Sequence, residues 1–292
     1  MNAQRPDRNQ ARELAREKAR EMRLKGSARE KRNRFFIQLS LGVTALTVIG
    51  VLATVILSGL QPAGPGPLNM QSDGIKIGAG NVAVQTPALE ADASPVATPA
   101  NAEDVVEIAL WVDYLCPICR QFEEANSAAI AELLSLGAAT IEIHPIAILT
   151  NRSQGTQYSL RAANAAGCVA NNYPNSFLDF HNALYKNQPE EGTEGLTDDQ
   201  LIELATSAGA GPEVESCIND GTFKDWVKSS TERAISGDIA INNLDKKFPG
   251  VTGTPTVLIN GKQFNPSYDP AAPLPFSSEE FLRAVVAAAG AQ

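Results

Sequence analysis

The chain has 292 residues and a formal net charge of −9 at pH 7, with 20% charged and 43% hydrophobic residues. The charge is divided: residues 1–34 hold 12 Lys/Arg against 5 Asp/Glu, whereas the remainder is strongly acidic. An acidic body argues against a nucleic-acid partner, since binding a phosphate backbone needs Lys/Arg patches, and the length allows one or two domains.

Residues 11–25 read as a charged helix in a basic cytoplasmic tail, with Glu13/Arg16, Glu17/Arg20 and Glu21/Lys25 at i,i+3 or i,i+4 spacing. Residues 35–60 then run for 26 positions without an Asp, Glu, Lys or Arg. About 20 apolar residues cross a bilayer, so this run predicts a transmembrane helix. It exceeds the roughly 7–15 residue apolar region of a cleaved signal peptide, and the sequence after it is a poor cleavage site, so an uncleaved anchor is expected. The excess of Lys/Arg before the helix puts residues 1–34 in the cytoplasm and the rest outside. This predicts a single-pass cell-membrane protein whose four cysteines lie in an oxidising compartment.

Residues 61–102 contain Pro62, Pro65, Pro67, Pro87, Pro95 and Pro99 and read as an extracytoplasmic linker. Within it, the alternation over residues 75–84 is compatible with an edge strand. The folded domain is expected over 103–292. Residues 105–114 form a β-rich apolar run, residues 117–136 carry helical periodicity stopped by Gly137, and 140–149 read as a second strand. Together these make a right-handed β-α-β unit. Residues 155–172, 174–187, 197–207 and 222–244 read as helices, forming a helical block over about 150–248. Thr197 and Gln200 have the spacing of a capping box. Asn260-Gly261 between two strand-like runs predicts a hairpin, and 277–289 a closing amphipathic helix.

The chemistry concentrates at Cys116-Pro117-Ile118-Cys119, where a strand passes into a helix. A cysteine at a helix N-terminus is favoured as thiolate by the macrodipole and the free backbone N–H groups, and the thiolate is the nucleophile. Cys116 is therefore the expected nucleophile and Cys119, one turn further in, the resolving thiol. The alternatives are an inert staple or half of a metal site. A metal site needs two more ligands, and Cys168, Cys217, His144 and His181 are scattered without a second Cys-x2-Cys. His144, His181 and Trp111 read as packing residues, with Trp111 and Tyr114 close enough in sequence to flank a groove.

This pattern resembles the DsbA-like thiol-disulfide oxidoreductases: an α/β thioredoxin fold with an inserted helical domain, here of the membrane-anchored Gram-positive or actinobacterial type. The residues carrying the resemblance are Cys116-Pro117-Ile118-Cys119 and Thr254-Pro255 before the hairpin. The resemblance implies a cis peptide before Pro255, with Thr254 and Pro255 beside the cysteines presenting backbone to a substrate peptide. It also implies a structural disulfide between Cys168 and Cys217; a second redox relay or two free thiols are the alternatives. The activity implied is oxidation of reduced cysteines in exported proteins, with no cofactor. A membrane redox partner, of the quinone-linked kind, would reset the pair. Two departures stand out. The position six before the first cysteine, often a buried acid in this fold, is Leu110, and Asp113 should face away from it by strand parity. Ile118 stands where the strongly oxidising members carry His. A reductase or isomerase is therefore the rival enzyme, and a tethered peptide-binding module the rival outside enzymology.

Overall fold

The computed structural model describes residues 64–269 and 276–290. The basic head and the apolar run at 35–60 lie outside the described residues. Among the described residues, no helix is long and apolar enough to cross a membrane.

A five-stranded sheet has the order β1-β3-β2-β4-β5, built from β1 (Ile75–Ile77), β2 (Val106–Val112), β3 (Ala139–Pro145), β4 (Thr256–Ile259) and β5 (Lys262–Phe264). β2 and β3 are parallel, and α1 (Pro117–Ser135) makes the crossover between them. β4 pairs antiparallel with β2, and β5 antiparallel with β4. Successive side chains on β2 take opposite faces. Val106, Ile108, Leu110 and Val112 join the core that holds Phe122, Ile130 and Leu134 of α1, with Phe281 and Val285 of α7 (Ser278–Ala289). Ala109 and Trp111 join a second cluster with Leu258, Ala234, Ile241 and Val251. Burial on both faces is why β2 reads as a continuous apolar run rather than an alternating one. The hairpin turn is the one its sequence predicts: Asn260 and Gly261 both have positive φ, and a Cβ at Gly261 would lie 2.1 Å from the Asn243 carbonyl oxygen.

Between β3 and β4 stand α2 (Tyr158–Asn172), α3 (Phe177–Lys186), α4 (Asp198–Ser207), α5 (Glu213–Asp220) and α6 (Lys224–Ser236). Thr197 and Gln200 form the expected capping box on α4. α6 ends at Gly237, whose φ of 83° closes the helix, so the helix expected to run on to 244 stops early. The short α5, not anticipated from the sequence, carries Cys217. It is bonded to Cys168 on α2, with their Cα atoms 5.8 Å apart.

The described part of the expected linker is not a linker. Residues 64–101 pack onto the domain: Met70, Ile75 and Ile77 are buried, and β1 extends the sheet antiparallel to β3. Asp73 accepts both Nε and Nη2 of Arg233 at 2.7 Å and the Trp226 indole N–H at 3.0 Å. Lys76, 1% exposed, donates to Glu107 and to the Pro99 carbonyl, each at 2.8 Å. The Glu142 carboxylate accepts the hydroxyls of Ser72 and Thr98. Prolines interrupt secondary structure here without preventing apolar burial, which is why composition alone misjudges the segment.

Candidate active site

β2 ends at Val112, and Asp113 turns the chain. Its carbonyl accepts the Cys116 N–H at 2.9 Å and its Oδ1 accepts the Leu115 N–H at 2.9 Å. β2 ends at Val112, so strand parity does not fix the direction of Asp113. It is fully buried, and its Oδ2 also accepts Ser159 Oγ–H at 2.6 Å and Leu149 N–H at 2.8 Å. Burial raises its carboxyl above the usual range. The turn delivers Cys116 as the N-cap of α1, with Pro117 in the first turn, where a missing N–H leaves no bond unmade. Gln188 holds the geometry from the far side, donating to the carbonyls of Tyr114 and Cys116 at 3.0 Å each.

Both cysteines are free; Cys116 is 6% exposed and Cys119 0%. They titrate apart. A hydrogen bond from the Cys119 thiol, aided by the Thr254 side chain and the backbone N–H groups of Cys119 and Ile118, lowers Cys116 to about 6 against the opposing effect of burial. Burial, with the neighbouring Cys116, pushes Cys119 well above the ordinary thiol range. At pH 7 the site therefore holds one thiolate and one thiol.

The structure brings Thr254 and Pro255 to this pair. The Thr254–Pro255 bond is cis, and Cys116 Sγ lies 3.3 Å from the Thr254 carbonyl oxygen, to which it can donate only in its protonated form. Thr254 Oγ1 is buried without a hydrogen-bond partner, beside the sulfurs whose thiolate forms it favours. A thiol offers this hydroxyl little; a thiolate offers it a charged acceptor. Ile118 is half-buried and acts on Cys116 through its N–H rather than its side chain.

The other sequence candidates are elsewhere. Cys168 and Cys217 are tied to each other. His144 is buried and stacked on Trp111 with ring centroids 4.3 Å apart, so both are core residues. His181 is the exception among the expected packing residues. It bridges Glu123 and Tyr114, with Nε2 3.1 Å from Glu123 Oε1 and Nδ1 3.2 Å from Tyr114 Oη. Sequence reasoning missed Glu123, although the signal was present: it sits on the face of α1 defined by Cys119, Phe122, Asn126 and Ile130. A cavity of about 680 Å³ opens near the start of β2, lined by Asn101, Glu107, Asn242, Lys262 and Ala288; the cysteines follow the other end of that strand.

Two adjacent thiols of opposed acidity at a helix N-terminus can exchange disulfides. The family model described as thioredoxin matches residues 99–273, and the chain belongs to the thioredoxin family. Within that family it is similar to proteins of the DsbA and DsbG kind. The oxidised DsbA of Mycobacterium tuberculosis superimposes with a TM-score of 0.54 at 26% identity, covering 74% of this chain and 93% of that one. The reduced form of the disulfide bond oxidoreductase DsbG from the same organism gives 0.55 at 26% identity, covering 75% and 89%. The chain is also 31% identical over 118 residues to the serine/threonine-protein kinase PknE of M. tuberculosis, covering 39% of this chain and 21% of the kinase. It spans a fifth to about half of the length of the curated relatives it matches.

Proposed function

We propose that the chain is a protein thiol-disulfide oxidoreductase, acting as an oxidase that places disulfides in exported proteins. The observation that carries this reading is the placement of Cys116 at the N-terminus of α1, its Sγ 3.3 Å from the Thr254 carbonyl oxygen, with the fully buried Cys119 one turn behind it; hydrogen bonding there lowers Cys116 to about 6, and burial pushes Cys119 well above the ordinary thiol range. A stabilised Cys116 thiolate favours the reduced pair, which makes the disulfide form a better oxidant. A substrate thiolate attacks Cys116 Sγ of the oxidised pair and Cys119 leaves. A second substrate thiolate then attacks the mixed disulfide, releasing the substrate disulfide and the Cys116 thiolate. Backbone around Thr254, with Pro255 behind it, supplies the docking edge for an extended substrate. The apolar run at 35–60 anchors the domain on the outer side of the membrane, and a quinone-linked membrane enzyme takes the electrons.

Ile118 favours a second reading. It contributes no cation to Cys116, so the thiol is not driven to the ~3.5 of the most oxidising members, and a reductase or isomerase of the envelope would use the same site. The reduction potential of the Cys116–Cys119 pair separates the two. The measurement is equilibration of the full-length protein, in detergent, with glutathione buffers. A value between about −120 and −180 mV is expected; a value at or below about −250 mV would make the protein a reductant.

A further inference from the structure

Resting on the reading of Cys116 and Cys119 as a redox pair, we propose that Asp113 and Gln188 are positioning residues for its chemistry. Between them they fix the successive peptide planes around Cys116, and through them the helical insertion sets how reactive the sulfur is. The peptide joining Tyr114 to Leu115 is held at both ends: its carbonyl accepts from Gln188 Nε2 at 3.0 Å, and its N–H donates to Asp113 Oδ1 at 2.9 Å. The next peptide donates its N–H, that of Cys116, to the Asp113 carbonyl at 2.9 Å. The third joins Cys116 to Pro117, which has no N–H, so only its carbonyl can be held. That carbonyl accepts from Gln188 Nε2 at 3.0 Å and from the Arg120 N–H at 3.3 Å.

Cys116 is thus gripped on either side of its Cα, in the extended conformation of a helix N-cap, with φ −73° and ψ 116°. Those two angles, with the side-chain rotamer, decide where Sγ stands relative to the free N–H groups that open α1. The helix itself contributes only the longer Arg120 bond to this grip. A carbonyl released from Gln188 is free to turn toward the sulfur, and a carbonyl oxygen beside a thiolate disfavours it. One such oxygen, that of Thr254, already stands 3.3 Å from Sγ.

Both residues are anchored outside the thioredoxin core. Asp113 is fully buried; Ser159 of α2 donates to its Oδ2 at 2.6 Å, and Tyr185 Oη of α3 donates to its carbonyl at 3.3 Å. Gln188 is 8% exposed, and its own N–H donates to the Tyr185 carbonyl at 3.2 Å, so Tyr185 braces the two together. The other side closes through two loops. Leu149 N–H donates to Asp113 Oδ2 at 2.8 Å. A few residues on, the Arg152 carbonyl accepts Gly192 N–H at 2.8 Å, and Gln154 Nε2 donates to the Gly192 carbonyl at 2.7 Å. Gly192 lies in the segment that follows Gln188. Asp113, the loop 149–154 and the segment 188–192 therefore make a closed ring around the turn that carries Cys116.

The test compares the full-length wild type in detergent with Gln188→Met and Asp113→Asn. Alkylation of Cys116 by iodoacetamide is followed across pH, and the equilibrium with glutathione is measured at pH 8. Gln188→Met keeps the length of the side chain and removes both donated bonds. It is expected to raise the Cys116 midpoint by about one pH unit and to shift the glutathione equilibrium about 10-fold toward the disulfide. Asp113→Asn keeps one acceptor and sets an N–H donor against the groups at the other. Loss of a carboxylate by itself favours a nearby thiolate, so the upward shift expected here reports lost position and not lost charge. An unmoved midpoint in Gln188→Met, or a lowered one in Asp113→Asn, would overturn the proposal, even if the variants melt at lower temperature. Hydrogen exchange in the wild type decides if neither variant folds. The Gln188 side-chain amide is expected to exchange at least about 10-fold more slowly than a free glutamine side chain, and exchange at the free rate would overturn the proposal. A wild-type protein that exchanges no disulfide with glutathione would remove the redox reading itself; normal exchange with an unmoved Gln188→Met would remove this inference alone.

Discussion

Cys116 Sγ and the carbonyl oxygen of Thr254 are 3.3 Å apart across 138 positions of sequence. The sheet brings them together. β2 and β4 are antiparallel with Trp111 opposite Thr256, so the residues leaving β2 and those entering β4 emerge at the same edge. Cys116 and the Thr254 backbone are thus brought together by strand register rather than by a loop.

The Cys116 thiol should titrate near 6, and its largest support is the Cys119 thiol hydrogen bond. Cys119→Ala removes that donor and is expected to move Cys116 up toward the ~8.5 of a free thiol. Thr254→Val is expected to move it in the same direction by less. Thiolate absorbance or iodoacetamide alkylation across pH 4–10 reads both; an unmoved titration in Cys119→Ala would contradict the assigned cause.

Stability should depend on pH differently in the two redox states. Cys116 lies near 6 in the folded reduced protein and near 8.5 when unfolded. Between those values the unfolded chain holds a proton that the folded chain has lost, so reduced-state stability rises with pH, and the gain is lost as pH falls through about 6. Cys119 is raised in the folded state, so above about 8.5 its contribution declines as pH rises. The oxidised protein titrates at neither sulfur. Reduced-minus-oxidised unfolding free energy, from denaturant melts, is expected to climb from pH 6 and peak near 8.5; a flat difference would count against the split.

Glu142 is buried against Ser72 and Thr98, and burial raises it to about 7. Its protonated form is the one the fold favours. The associated stability is present below about 4.3 and lost as pH rises through about 7. Glu142→Gln should match the wild type at pH 4 and exceed it at pH 8, by roughly 1–3 kcal/mol. Thermal melts at the two pH values check this; a loss at pH 8 would show that the carboxylate is needed to hold residues 64–101.

Those residues belong to the domain. Asp73→Ala leaves Arg233 and the Trp226 N–H without their shared acceptor, and is expected to cost about 3 kcal/mol. A fragment beginning at residue 103 also strips Met70, Ile75 and Ile77 from the core, and should unfold at lower denaturant than the full-length chain. Equal midpoints would mean that the segment adds nothing to the fold.

Local signals carry far in this chain. The Cys116–Cys119 spacing at a strand-to-helix passage, the capping box at Thr197 and the Asn260-Gly261 hairpin depend on neighbours within a few residues, and the structure places each where its sequence does. Residues 64–101 read wrongly as a linker because their apolar side chains are buried against partners 60 to 100 positions away or more, which neither periodicity nor proline content records. α5 escapes sequence reading because eight residues give too little periodicity to see.

The sequence by itself determined the chemistry: which sulfur stands at a helix N-terminus, and that a second lies one turn behind it. Only the tertiary structure decided the environment of that chemistry. The depth of Cys119, the arrival of Thr254 and the bridging of Glu123 to Tyr114 by His181 depend on contacts spanning 58 to 138 residues. The acidity of a buried group is set by what surrounds it in space, so it follows from packing and not from the order of the chain.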